Sequence, residues 1–247
     1  MASSTSTSIK YAGFIDYSSV FAIPHATWIT VGSVIVVGTV ISVLPQIASI
    51  IINKSSFGLN PMTLFITTFS QFVLLTNVIC FHIEDFMGFL QYPFYQSIPR
   101  FLTFLITFTL WFCFLVIPFL HLIFYDKELR EARPAKQIKR EKLMSLVILI
   151  LFPSLDFIFL IVYFVIGTVT GFNSLITLNY GKVCGTIATI IGFAQYIPQM
   201  VTTIRLKDPG SLSLILLLIQ APGGTANALF MAIAQHDDWT TWISILS

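Results

Sequence analysis

Six long runs of apolar residues, separated by short polar stretches, organise this chain. They cover positions 28–52, 62–81, 101–124, 143–169, 183–204 and 212–234. A helix needs about 20 mostly apolar residues to cross the roughly 30 Å hydrocarbon layer, and each run meets that length. The pattern predicts an all-α, multi-pass membrane protein. The closing stretch, QHDDWTTWISILS, is too short and too polar at its start to cross. It reads as the beginning of a seventh span that the chain does not complete.

Composition agrees with the pattern. Hydrophobic residues make up 56% of the 247 and charged residues 10%, against about 25% charged in soluble domains. A net charge of +2 is too small to imply a nucleic-acid partner. Cys80, Cys113 and Cys184 are scattered inside apolar runs without paired spacing, so neither a disulfide framework nor a metal site follows. The start, MASSTSTSIK, lacks the basic segment and short apolar core of a signal peptide. The first span is therefore expected to act as its own targeting signal.

Lys and Arg set the expected orientation. With the N-terminus outside or lumenal, the inner loops hold Lys54, Lys127, Arg130, Arg133, Lys136, Lys139, Arg140, Lys142, Arg205 and Lys207. The outer side then holds only Lys10, Arg100 and Lys182. The charge run at 125–142 reads first as a solvated connecting loop, and second as a contact for anionic lipid.

An internal repeat organises the spans. Pro45-Gln46 and Pro198-Gln199 lie at one offset, which also pairs Lys54 with Lys207, Leu59-Asn60 with Leu212-Ser213, and Glu84-Asp85 with Asp237-Asp238. Asn77 matches Asn227 if three residues are gapped. Each copy reads as span, short inner loop, span, acidic outer loop. Four helices separate equivalent starts, so the copies are parallel, related by an axis along the membrane normal. The expected segments are an outer N-terminal stretch (1–27), a first three-helix repeat (28–124), a basic inner loop (125–142), a linker helix (143–169) and an incomplete second repeat (183–247).

A mid-helix proline removes a backbone hydrogen bond and kinks the helix, and in lipid the freed carbonyl needs another partner. The glutamine that follows satisfies such a carbonyl or binds a polar solute. Pro45 and Pro198 are thus expected hinges, with Gln46 and Gln199 beside them and Pro222 a further hinge in APGG. Gln71, Asn77, Gln195, Gln220 and Asn227 are candidates to line a solute path, with interhelical bonding as the alternative for Gln71, Asn77, Gln220 and Asn227. Asp156, inside the fourth run and three residues after Pro153, is the candidate proton site; bonding the backbone groups freed by Pro153 is its alternative. The four histidines show no metal-ligand spacing. No nucleophile–base pair or phosphate loop is evident, so neither an enzyme nor a cofactor is expected.

The stretches LPQIASIIINKSSFGLN and IPQMVTTIRLKDPGSLS resemble the paired signatures of the PQ-loop repeat proteins. That group includes cystinosin-like cystine exporters, vacuolar basic amino-acid exporters and, more distantly, SWEET-like sugar carriers. The resemblance implies two three-helix bundles joined by a linker helix, an N-out topology, and passive or proton-coupled solute transport. Family members usually have seven spans. In the sixth-span segment, the position resembling a proton-coupling acid of the cystine exporters is Gln220, which takes up no proton near neutral pH.

The resulting expectation is an endomembrane carrier, lysosomal or vacuolar, for a small polar solute of amino-acid type. Its partners are membrane lipids, the solute, and a second copy or a partner helix. The rivals are a non-transporting receptor or scaffold, and a truncated chain completed by a partner helix. The one glycosylation sequon, Asn53-Lys54-Ser55, falls on the expected inner side. Asn53 should therefore stay unmodified in a glycosylating membrane. Endoglycosidase treatment should leave the protein's electrophoretic mobility unchanged, and a shift would reverse the orientation.

Overall fold

The computed structural model describes residues 26–56, 59–91, 94–125, 135–195, 197, 201, 204 and 214–246, and among these there is no strand. The helices are α1 (Ala26–Asn53), α2 (Pro61–Gln91), α3 (Phe94–Ile123), α4 (Ala135–Thr170), α5 (Leu175–Ala194), α6 (Leu214–Leu229) and α7 (Trp239–Leu246). A π-helical stretch, Phe230–Gln235, continues α6 without a break. Among the described residues, α1 to α5 are each long and apolar enough to cross a membrane. The sixteen-residue α6 reaches a comparable length through its six π-helical residues.

Local chemistry explains the helix starts. Asn60 caps α2, its side-chain oxygen accepting from the backbone N–H of Met62 at 2.8 Å, and Pro61 fills the first helical position, where a missing N–H does no harm. The turn between α4 and α5 is tight because Gly171 takes φ +95°, a conformation costly for other residues. Ser174 then caps α5 by accepting from the Thr177 N–H at 3.2 Å.

Several helices outrun the apolar pattern. The second run was expected to end at 81, but α2 continues to Gln91, so Glu84 and Asp85 lie on a helix and not in an acidic loop. The basic stretch expected as a loop to 142 is helical from Ala135 onward. The fifth run was expected from 183, whereas α5 begins at Leu175 and ends at Ala194. In α2 and α4 the added turns carry charged residues. Charged Lys and Arg are good helix formers, and Asp85 is satisfied by tertiary partners described below.

Here the end of the bundle at which α1 begins is the head end, and the opposite end is the tail end. Gly32 of α1 lies against Leu102 near the start of α3, while Val43 and Ile50 near the end of α1 cluster with Phe114 and Ile117 of α3. Helices α1 and α3 are therefore parallel. Asn77 meets Gly181 across α2 and α5, and Ser70 bonds the Ala188 carbonyl, so α2 and α5 are antiparallel. The two starting helices, α1 and α5, thus run the same way, and the repeats are parallel as expected.

Between the repeats, the first helix of each packs on the second helix of the other, α1 on α6 and α2 on α5. Helix α7 runs along α5 as α3 runs along α1. The apolar part of α2 is 67% buried, and that of α4 only 12%. Helix α2 is thus the axle of the bundle, and α4 is a strut on its outside.

Two glycines set the spacing at this interface. A Cβ on Gly185 would fall 2.7 Å from Asn77 Nδ2 and 2.8 Å from the Thr240 carbonyl. A Cβ on Gly32 would fall 2.8 Å from Phe230 and 2.5 Å from Leu102. The repeat offset that pairs Pro45 with Pro198 also pairs Gly32 with Gly185 and Asn77 with Phe230. Packing therefore corrects the gapped match of Asn77 with Asn227. Phe230 occupies the place of Asn77, and the ungapped offset holds.

Gly185→Ala should destabilise the protein by about 1–3 kcal/mol, because the backbones must part. Gly38, whose Cβ would meet nothing within 4 Å, should accept alanine with a gain of up to about 1 kcal/mol from helix propensity. Thermal unfolding of the two variants in one detergent checks both signs.

Candidate functional site

Five side chains close the head end of the repeat interface. His82, near the end of α2, places Nδ1 2.6 Å from Asp85 Oδ2 and Nε2 3.0 Å from Asp237 Oδ1. Thr103 of α3 donates its hydroxyl to Asp237 Oδ2 at 2.9 Å, and Arg100 Nε donates to Asp85 Oδ1 at 3.2 Å. An ionised carboxylate only accepts, so a ring nitrogen that bonds one does so through its own N–H. His82, Asp85 and Asp237 are buried, and Arg100 is partly exposed.

The backbone presents Asp237 to this cluster. The π-helical stretch ends at His236 in the left-handed region, φ 55°, and the Asp237 N–H turns back to the Met231 carbonyl at 3.0 Å. The next residue, Asp238, caps α7 by accepting from Thr240 N and Oγ1 at 3.0 and 2.8 Å, and lies 3.6 Å from Lys182 Nζ of α5. The acidic pairs that the repeat aligns thus converge at one end, and one histidine links one member of each.

Below this latch, helical register lays out a ladder of amides along the interface. Starting from the level of Asn77 and Gly185 and moving toward the tail end, Asn227 of α6 comes about one turn down, three residues before Phe230. Gln71 of α2 lies about 9 Å below Asn77, at 1.5 Å per residue. Gln195, at the end of α5, and Gln46 of α1 lie lower still. The ladder alternates between repeats. Gln46, Gln195 and Asn227 are 2%, 3% and 5% exposed. Among the described residues, the side-chain oxygens of Gln71, Gln195 and Asn227 are shielded and have no hydrogen-bond partner, whereas Gln46 is engaged. Thr67, Gln71, Val78 and His82 recur at helical spacing, so one face of α2 leads from the ladder to the latch.

The other candidates divide. Asn77 is fully used in packing: its Nδ2 donates to the Gly181 carbonyl at 2.8 Å and Thr240 Oγ1 at 3.2 Å, and its Oδ1 accepts from Thr241 Oγ1 at 2.7 Å. Pro45 sits within an unbroken α1, and Pro222 is exposed within α6. Gln220 falls within α6, without a described side chain. Pro198 and Gln199 lie outside the described residues.

Asp156 of α4 is 3% exposed and its Oδ1 has no partner. Close to Pro153, Ser154 donates its hydroxyl to the Ile150 carbonyl at 2.8 Å. An uncompensated charge at this depth costs several kcal/mol, so the carboxyl either holds a proton or meets a counter-charge.

Sequence reasoning missed the latch as a unit. The signal was present in the shared position of the two acidic pairs and in His82 three residues before Asp85, one helical turn away.

A buried polar ladder between two parallel repeats, capped at one end, defines a multi-pass helical membrane protein of internal-repeat type. The PQ loop repeat family model matches the chain twice, at residues 27–87 and 180–240, and the chain belongs to the PQ-loop repeat family. A relative from Schizosaccharomyces pombe, itself described as an uncharacterized protein, is 32% identical over 59 residues. That match covers 24% of this chain and 20% of the relative, so the chain spans about a fifth of the relative's length. No solved structure matches the chain.

If the latch holds the repeats together, His82→Ala leaves two buried carboxylates facing each other, a loss of about 3–5 kcal/mol for one partner of a buried pair. Amide exchange over residues 230–241 should then accelerate at least tenfold, while residues 183–190 keep their protection. Unchanged exchange at 230–241 would mean the ion pairs do not hold this end.

Proposed function

We propose that this protein is a carrier that moves a small polar solute across an endomembrane by alternating access between its two repeats. The observation that supports it is the pairing of a closed cross-repeat latch with a shielded ladder of unpartnered amide oxygens beneath it. Buried amide oxygens without partners are costly at about 1–3 kcal/mol each, and a solute bearing N–H or O–H donors offsets that cost. In this reading the head end faces outward or into the lumen, as the Lys and Arg distribution favours, and the latch is the outer gate.

Gln71, Gln195 and Asn227 serve as the solute contacts. Pro45 and Pro198 serve as hinges toward the tail end, with Pro222 a third. Asn77 serves as the fixed contact about which the repeats are registered. Asp156, on the linker helix outside both repeats, serves as the proton site if the carrier is proton-coupled. The amino-acid character of the solute and the lysosomal or vacuolar membrane rest on the family resemblance alone, which is an argument by analogy.

Proteoliposome counterflow with a panel of amino acids and sugars tests the reading. Saturable exchange is expected for at least one solute. Gln195→Ala should raise its KM about five- to twelvefold, the loss of one hydrogen bond of about 1–1.5 kcal/mol. Absence of saturable exchange across the panel, with the protein folded, would favour a receptor or scaffold.

A further inference from the structure

The tail end of α4 combines two features that the solute path leaves unused. The helix is 36 residues long, about 54 Å at 1.5 Å per residue, well beyond the roughly 30 Å hydrocarbon layer. Its lipid-facing stripe includes Leu143, Leu146, Val147 and Ile150, all strongly exposed. Directly before this stripe, on the same unbroken helix, come Lys136, Lys139 and Lys142, each exposed.

The neighbouring helices α1 and α3 also expose apolar side chains close to their tail ends. Ile52 of α1 and Ile123 of α3 are 77% and 70% exposed near the ends of their helices, and the exposed Lys54 follows α1. If the apolar layer ends at Leu143, Lys142 lies at the boundary, Lys139 about 4.5 Å above it, and Lys136 about 9 Å above it. The headgroup region is about 5–7 Å thick on each side, and lysine stems reach several ångströms to place the ammonium. On that placement the ammonium groups of Lys142 and Lys139 lie within headgroup depth, and that of Lys136 reaches it when its stem turns back toward the layer. They are held there by a helix and not by a loose loop.

We infer that Lys136, Lys139 and Lys142 form a binding surface for the headgroup of an anionic phospholipid in the leaflet at the tail end. The occupant is a lipid because the lysines continue directly into the lipid-facing apolar stripe, which takes the acyl chains of the same molecule. Charge complementarity supplies the preference over zwitterionic lipids, at about fivefold per lysine at the surface.

The test uses the full-length chain in a neutral detergent, titrated with phosphatidylserine or phosphatidylcholine and read by native mass spectrometry. The wild type should retain phosphatidylserine at least tenfold more strongly than phosphatidylcholine, and the preference should shrink as salt is raised from about 0.05 to 0.5 M. The triple change Lys136→Gln, Lys139→Gln, Lys142→Gln should abolish the preference. The arginine triple should retain it, and Lys182→Gln at the head end should leave it intact. No preference in the wild type, or equal preference in wild type and glutamine triple, overturns the inference. Displacement of phosphatidylserine by millimolar inorganic phosphate also overturns it, since a bare anion would then be the ligand. Solute flux takes no part in this readout, so the carrier reading stands or falls separately.

Discussion

Inside a bilayer, helices gain little from burying one apolar side chain against another, because lipid tails are as apolar as leucine. Two repeats in one membrane must therefore be held together by close backbone approach and by hydrogen bonds. Everything specific in this bundle follows from how α2 meets α5. Gly181 and Gly185 let the helices come near enough for Asn77 to reach the Gly181 carbonyl and the Thr240 hydroxyl at once. Ser70 adds a second bond to the α5 backbone at Ala188. With this contact in place, α2 becomes the central helix, its head end meets the second repeat, and His82 is carried to Asp237.

Much of the architecture was legible in the order of residues. Apolar run length marked where each helix crosses, the doubled Pro-Gln stretch revealed the repeat, and the four helices between equivalent starts set its parallel sense. The extensions of α2 past 81 and of α4 before 143 were not legible, because run length reports only what lipid requires. A helix continues beyond the lipid wherever its polar side chains are satisfied, and for His82 and Asp85 the partners come from α3 and the second repeat. The latch as a whole was hidden for the same reason: His82 and Asp85 stand one turn apart on α2, but nothing in the order of residues brings Asp237 to them. Asn77 and Asn227 looked alike as buried amides. Only the structure separates them, since one is fully bonded and the other has a shielded, unpartnered oxygen.

The two glycine contacts related by the repeat are alike in geometry and opposite in chemistry. At Gly185 the neighbours are Asn77 and Thr240, and the contact is hydrogen-bonded. At Gly32 the neighbours are Leu102 and Phe230, within an apolar cluster that includes Ile106 and Met231. Hydrogen bonds are directional and weaken steeply once misaligned, so the α2–α5 contact fixes register. Dispersion contacts between apolar groups are individually weak and tolerate sliding more readily. The pseudo-symmetric interface therefore has one side that resists displacement and one side that permits it. Relative movement of the repeats is easiest where α1 meets α6, and it is restrained at the head end by the bonds on Asp237.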